Sequence, residues 1–464
     1  MKKRQTNIIL LINAVLVVAS IPISIVTNKL FLMPIILIYA VVTTVSQFVF
    51  KEDLVYYVLT AYLTAVGPVD MLLVDVTPIN VLGVGYTHYY LFGDRHLYFQ
   101  YLLFSVGMYL LILLSYKIVS GFRGRLVLHT RALAFKTPIS NNAPLIKYIA
   151  ILLYAAVEYQ LRSRFLLDVP GAIPVIRGAG IIVYLYRFFG TLLLFRCIET
   201  DLGSGEIKAR NILLLLFDYF LICLPDFLFD RRGPVLYSLV VTAAYLLCVN
   251  RKNLIAFVKK NIVFVVLFVV GILGAFSIFT AAVRYKGLVT LSPLYLLSRL
   301  IGVADGFIGI DYMNSAGTGF INFSLLDYFK NVLSMNEISV NRIYTYVILG
   351  YPPSAIHTSS LPLFVGSFMY DGFWGYLMIS LIFGIIFAVA KRCITTSAAY
   401  KNTDREKIYA FVGCYIIVYA TARVMGGGSE RIIEVFVQPV MLLLYSLFVR
   451  GYPRDRTPED GRNS

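Results

Sequence analysis

Apolar runs of about twenty residues, each bounded by charge, recur along the chain at the length a helix needs to cross a hydrocarbon core of roughly 30 Å. Twelve such runs fall near residues 7–26, 30–50, 54–74, 97–117, 147–161, 179–197, 211–229, 234–250, 262–283, 363–390, 408–425 and 432–449. The fifth, "KYIAILLYAAVEYQL", is short enough to be partly re-entrant. The first follows Met-Lys-Lys-Arg, as a signal peptide would, but a second run begins a few residues later without a small-residue cleavage site between them. It reads as an uncleaved first helix. The pattern predicts an all-α, polytopic integral membrane bundle of about twelve spans.

Two connections are long. Residues 117–147 form a basic segment whose apolar residues alternate with charge. Residues 284–362, 79 in number, are rich in Leu, Ile, Tyr and Phe and carry helical spacing in "SPLYLLSRLIGVADGF" and "FSLLDYFKNVLSM". So long a connection is ordinarily functional or disordered, and this composition argues against disorder. The chain therefore divides into spans 1 to 9 over 1–283, a large helical outer-face loop over 284–362 capping the bundle, spans 10 to 12 over 363–449, and a tail over 450–464.

Composition agrees with the pattern: 59% of the 464 residues are apolar, 14% are charged, and the mean hydropathy is +0.78. A soluble domain of this size has no interior large enough for that much hydrocarbon. The five cysteines share no CxxC spacing and the four histidines are scattered. No metal or cofactor, and no nucleic-acid partner, is expected.

Charge supplies an orientation. With both termini cytoplasmic, the inner segments hold 26 of the 41 Lys and Arg, half of each kind, as the positive-inside rule requires. The outer segments hold 14, of which only Lys29, Lys286 and Lys330 are lysine. The other eleven are Arg95, Arg162, Arg164, Arg177, Arg231, Arg232, Arg284, Arg299, Arg342, Arg423 and Arg431. Guanidinium presents a flat fork that fits phosphate or carboxylate oxygens in pairs, whereas ammonium is a point charge. The bias points to an oxyanion-binding surface; the competing reading has these side chains reaching lipid headgroups or structural carboxylates. Within the spans, the same structural reading pairs Arg187 with Asp218 on a neighbouring helix and leaves Asp70 near a span end.

Outer charges gather where spans meet the surface. The clusters are "EYQLRSRFLLD", "DFLFDRRG", "AAVRYKG", the large loop and "ARVMGGGSERIIE". Arginines converging at an apolar boundary suit a lipid-linked diphosphate, whose prenyl chain lies in the membrane and whose leaving group needs positive charge. Pro234, at a probable helix start, sets Arg231 and Arg232 ahead of the positive end of the eighth span.

The order "DRRGPVLY", then "AVRYKG", then a large outer loop before "HTSSLPLFVGSFMYDGFWGYL" resembles the O-antigen and capsule repeat-unit polymerases of the Wzy type, a family related to the O-antigen ligases. The resemblance is best over residues 211–449. It implies a GT-C-like bundle in the bacterial inner membrane. It also implies metal-independent, inverting glycosyl transfer that polymerises undecaprenyl-pyrophosphate-linked repeat units into O-antigen or a related polysaccharide. Donor and acceptor are both lipid-linked oligosaccharides, and a chain-length regulator is an implied partner. The family's outer-face arginines correspond to Arg231 or Arg232 and Arg284; His357 resembles the His before "GxxG" in the ligases. His357 is the first candidate base, its ordinary pKa being near neutral, followed by Glu337 and Glu430. Arg299, Arg342, Arg431, Arg162 and Arg164 complete the candidate anion surface. Tyr344, Tyr346, Tyr351, Tyr370 and Trp374 are candidate sugar-stacking rings. The alternatives are an O-antigen ligase and a transporter or flippase for a lipid-linked or anionic solute. A transporter would carry its charges at mid-membrane; an enzyme would carry them at one face.

Overall fold

The computed structural model describes residues 2–50, 53–69, 71–72, 94–121, 144–161, 163, 179–202, 207–228, 232–264, 267, 271, 303–316, 323–332, 340, 361–399, 404–426 and 433–448. Those residues are helical and contain no strand; one isolated bridge joins Phe323 to Tyr370. The helices are α1 (Lys2–Val26), α2 (Leu32–Val49), α3 (Leu54–Thr64, continued by a π-turn over Ala65–Val69), α4 (Arg95–Gly121), α5 (Pro144–Leu161), α6 (Ala179–Leu202), α7 (Ala209–Leu228) and α8 (Arg232–Val249). After them come α9 (Arg251–Lys260), α10 (Val303–Ala316), α11 (Leu325–Val332), α12 (Leu363–Gly366), α13 (Phe373–Ala399), α14 (Asp404–Gly426) and α15 (Ile433–Phe448).

Five of the described helices are long and apolar enough to cross a membrane: Ile9–Val26, Leu32–Val49, Arg95–Gly121, Phe373–Thr396 and Arg405–Val424. Counting the bent pair α8 and α9 as one span makes six. The protein is a membrane protein. Leu11, Val15 and Val18 of α1, Val41, Val45 and Phe48 of α2, and Leu103, Leu114 and Ile118 of α4 are all exposed. In water such stripes would be costly; against lipid they are the ordinary outer surface.

At the centre stands α14, with 94% of its span buried between α3, α8, α13 and α15. Tight pairing needs small residues where helices touch. Gly384 of α13 meets α4 so closely that a Cβ there would sit 2.4 Å from the Ser115 Cβ and 2.8 Å from the Ile112 carbonyl oxygen. Ser115 Oγ in turn donates to the Leu381 carbonyl at 2.9 Å. Gly384→Ala is expected to destabilise the protein by about 1–3 kcal/mol through overpacking, read as a lower melting temperature in detergent. Gly121→Ala, with no atom within 4 Å of the new methyl, serves as the control and should melt like the wild type.

Cross-helix hydrogen bonds fix register in α1 to α4. Asn13 Nδ2 reaches the Ala40 carbonyl and both Thr43 and Thr44 hydroxyls of α2 at 3.2, 3.0 and 2.9 Å. Tyr39 and Ser105 share a 2.6 Å bond, and Thr60 and Tyr109 one of 2.8 Å. These contacts also set directions. Tyr376 Oη donates to the Phe104 carbonyl at 2.8 Å, and Arg392 reaches the Val119 carbonyl at 3.1 Å, so α4 and α13 run parallel. Between parallel α5 and α7, α6 runs the other way.

One correction to the sequence pattern concerns a break. The run over 363–390 is not one helix: α12 and a 3₁₀ turn over Ser367–Met369 precede α13, which starts only at Phe373. Asp371 and Gly372 both adopt left-handed backbone, φ 53° and 59°, which no helix continues through. The turn also holds part of the 284–362 stretch in place. Phe323 N–H donates to the Met369 carbonyl, Asp371 N–H to the Phe323 carbonyl, each at 2.8 Å, and Leu325 N–H to the Asp371 carboxylate at 2.7 Å. Ser324 and Asp327 cap α11 reciprocally, Ser324 Oγ donating to the carboxylate at 2.7 Å. On the other side of the loop, α10 lies against α4, where Gly306 abuts the Tyr101 ring and Gln100 pairs with Asn314. The span over 234–250 ends at Asn250 as expected, and α9 turns there by 115° from α8. Arg251, Lys252, Lys259 and Lys260 of α9 are exposed while Phe257 is buried, the distribution of a helix lying along an interface.

Candidate functional site

Ion pairs within the described helices gather at two levels. Toward one end of the bundle three lysines pair with carboxylates. Lys147 pairs with Asp218 and, at 3.7 Å, with Asp201. Lys407 pairs with Glu199, and Lys391 pairs with Asp53 at 2.7 Å. Tyr245 adds a 2.5 Å hydrogen bond to Glu199, and Tyr116 donates to Asp53. Each pair ties two neighbouring segments together, and each leaves a lysine side chain partly exposed.

Toward the opposite end the cation is an arginine. Arg187 of α6 donates from Nε to Glu158 Oε1 of α5 at 3.1 Å and from Nη2 to Asp226 Oδ1 of α7 at 2.5 Å. The side chains are 12%, 0% and 15% exposed respectively. The expected pairing of Arg187 with Asp218 is therefore corrected. Asp218 and Asp226 stand eight residues apart on α7, about 12 Å along its axis. In a helix the Cα–Cβ bonds tilt toward the N-terminus, so Arg187 aims at the start of α6. Because α6 runs antiparallel to α5 and α7, that start lies beside the ends of both, where Glu158 and Asp226 are found. Asp218, deeper on α7, meets Lys147 instead.

A cavity adjoins this triad, with about 60 Å³ open to water centres. Its charged wall is Arg187 and Asp226. Ser238 of α8, Thr191 of α6 and Gln438 of α15 add hydroxyl and amide groups, and Tyr154, Tyr415 and Tyr419 add aromatic surface. Tyr415 and Tyr419 are stacked with ring centroids 4.1 Å apart, and the hydroxyls of Tyr419 and Ser238 meet at 3.3 Å. At Gly190, which also lines the cavity, a Cβ would strike the Tyr154 hydroxyl at 2.3 Å, so that ring is seated by the absence of a side chain. Arg187 meets a carboxylate through both its Nε and its Nη2. Arg187 is thus a holder of carboxylates and offers little to a diphosphate; the cavity suits hydroxyl groups and a hydrogen-bonded ring face.

Most sequence candidates lie outside the described residues. These are His357, Glu337, Glu430, Arg231, Arg284, Arg299, Arg342, Arg431, Arg162 and Arg164, together with Arg177, Asp70, Tyr344, Tyr346 and Tyr351. Arg232 opens α8, with its backbone alone described. Arg95 is exposed at the start of α4, beside Asp94, whose carboxylate accepts from His96 N–H at 2.8 Å. Arg423 is buried in the last turn of α14. Tyr370 is fully buried, its ring 5.1 Å from Tyr328 and 5.8 Å from Phe323, so in this arrangement it is a core ring rather than an open stacking face. Trp374, by contrast, is 67% exposed.

Sequence reasoning placed Glu158 and Asp226 in outer clusters but did not join them to Arg187. The available signal was depth: all three stand within about two turns of a helix terminus on the same side of the bundle. The close approach of Cys248 and Cys414, 3.7 Å between sulfurs across α8 and α14, also left no trace in sequence spacing.

Helices with lipid-facing apolar stripes, around a buried guanidinium and a small polar cavity, define a polytopic helical membrane protein. Comparison with known proteins supplies no relative, since no family model, curated protein or solved structure matches the chain.

Proposed function

We propose that the chain is a glycosyltransferase that polymerises undecaprenyl-pyrophosphate-linked oligosaccharide repeat units at the outer face of a bacterial inner membrane. In this reading the chain crosses the membrane about twelve times in a GT-C-like bundle with both termini cytoplasmic. The lysine-paired end faces the cytoplasm and the Arg187 end faces outward. The exposed basic surface of α9 then lies on the inner leaflet, where anionic lipid favours it.

The observation that carries the reading is the cavity wall formed by Asp226 and Arg187. It puts a carboxylate, hydroxyls and aromatic rings in one hollow of the helical bundle. Asp226 lies two residues from the end of α7 and Glu158 three from the end of α5, which favours chemistry at one face; a solute pathway would instead draw on charge at mid-depth, such as Asp218 with Lys147. Bond formation between two lipid-linked chains needs a group to take the acceptor proton and positive charge for the departing diphosphate. The triad supports the first. The outer arginines, Arg231, Arg232 and Arg284 foremost, are assigned the second.

Deleting the gene and resolving the surface glycan by gel electrophoresis tests this. The expected result is loss of the long ladder with single-repeat product retained. Loss of every repeat would favour a flippase or ligase, and an unchanged ladder would contradict all three.

A further inference from the structure

The cavity beside Arg187 has a size and a lining that suit a narrower role. Water centres have about 60 Å³ there, room for roughly four to six waters. That is space for one sugar ring and too little for a repeat unit. Its polar groups are those that a pyranose hydroxyl pattern meets: a carboxylate, two hydroxyls and a carboxamide, with tyrosine rings alongside. Among the described lining residues none is a lysine, and Arg187 is already committed to Glu158 and Asp226. The hollow is therefore poorly made for a diphosphate and well made for a neutral sugar.

We infer that this cavity, between α5, α6, α7, α8, α14 and α15, is the subsite for the acceptor's terminal sugar, and that Asp226 is the base that receives its hydroxyl proton. The inference rests on the polymerase reading and names residues within it. In the step, the acceptor hydroxyl oxygen bonds to the donor's anomeric carbon. The bond from that carbon to diphosphate breaks, its electron pair leaving with the lipid diphosphate, and the hydroxyl proton passes to the Asp226 carboxylate and on to water. Arg187 is a positioning residue: its bond to Asp226 Oδ1 fixes the carboxylate at the cavity wall, and its bond to Glu158 fixes the guanidinium.

The test uses full-length protein in detergent and the lipid-linked repeat unit purified from the deletion strain. Asp226→Asn retains shape and an acceptor for Arg187. Its polymerisation rate at saturating repeat unit should fall by about a hundredfold or more, with repeat-unit binding within about threefold of wild type. Ser238→Leu keeps the triad and fills the hollow; it should weaken repeat-unit binding by roughly tenfold or more in protein that melts normally. The inference is overturned if Asp226→Asn polymerises at near the wild-type rate, or if Ser238→Leu binds the repeat unit unchanged. Failure of the wild type itself to join repeat units would instead remove the polymerase reading, and this subsite with it.

Discussion

Arg187→Met should leave little folded protein, a loss of about 3–5 kcal/mol. The substitution keeps the length and the apolar stem of the side chain and removes only the guanidinium. Glu158, whose side chain is wholly buried, and Asp226, 15% exposed, would then lose the guanidinium they share across α5 and α7. Removing one partner of a buried ion pair is far more damaging than removing the whole set, because the stranded charge keeps its desolvation penalty. Adding Glu158→Gln and Asp226→Asn to Arg187→Met should therefore restore much of the melting temperature. Thermal unfolding of the two proteins in detergent, followed by circular dichroism, reads this. If Arg187→Met melts with the wild type, or the triple variant is no better than the single, the triad is not what joins α5, α6 and α7.

The second large effect is expected at Gly375. A Cβ there would lie 1.5 Å from the Tyr370 carbonyl oxygen, 2.6 Å from its carbon and 2.9 Å from the Ser367 oxygen. All three atoms are backbone, so no side chain can swing aside and the turn itself must open. Opening it breaks the bonds from Phe323 to Met369, from Asp371 to Phe323 and from Leu325 to the Asp371 carboxylate, and it dislodges the buried Tyr370 ring. At about 0.5–1.5 kcal/mol per hydrogen bond, three bonds and a core ring together make Gly375→Ala severe. Gly372→Ala is the informative comparison. Its φ of 59° is left-handed but no atom lies within 4 Å of the added methyl, so strain alone acts, about 1–2 kcal/mol. Melting temperatures should fall in the order wild type, Gly372→Ala, Gly375→Ala, and limited proteolysis within 284–362 should accelerate most in the last. Equal melting of the two variants would show that the close approach at Gly375 does not hold the turn.

How far the sequence foretold this molecule depended on whether a feature was periodic or relational. Helix positions such as Leu32–Val49, Arg95–Gly121 and Asp404–Gly426 follow directly from apolar runs bounded by charge. The break before Phe373 does not show in hydropathy, because Leu363 to Met369 is as apolar as the helix after it; the signal was Asp371-Gly372, a pair that tolerates left-handed backbone. The bend at Asn250 was similarly hidden, since a basic segment following a span is consistent with either a loop or an interfacial helix. Buried charge was legible as an anomaly but its pairing was not. Choosing Asp226 over Asp218 for Arg187 required knowing which way α6 runs and that an arginine side chain leans toward its helix start. The cavity needed six helices to assemble and had no counterpart in any contiguous stretch. The lysine pairs at one end and the arginine pair toward the other parallel the Lys and Arg imbalance in composition. That imbalance was the one relational feature that counting alone could reach.

The most direct measurement is of stoichiometry in a purified system. Wild-type protein in liposomes is supplied with undecaprenyl-pyrophosphate-linked repeat unit and no nucleotide sugar, and lipid diphosphate release and glycan length are followed together. The account predicts one lipid diphosphate released for each glycosidic bond formed, with chains lengthening by whole repeats. Repeat units that cross the bilayer unjoined, or that remain single with no diphosphate released, would contradict it.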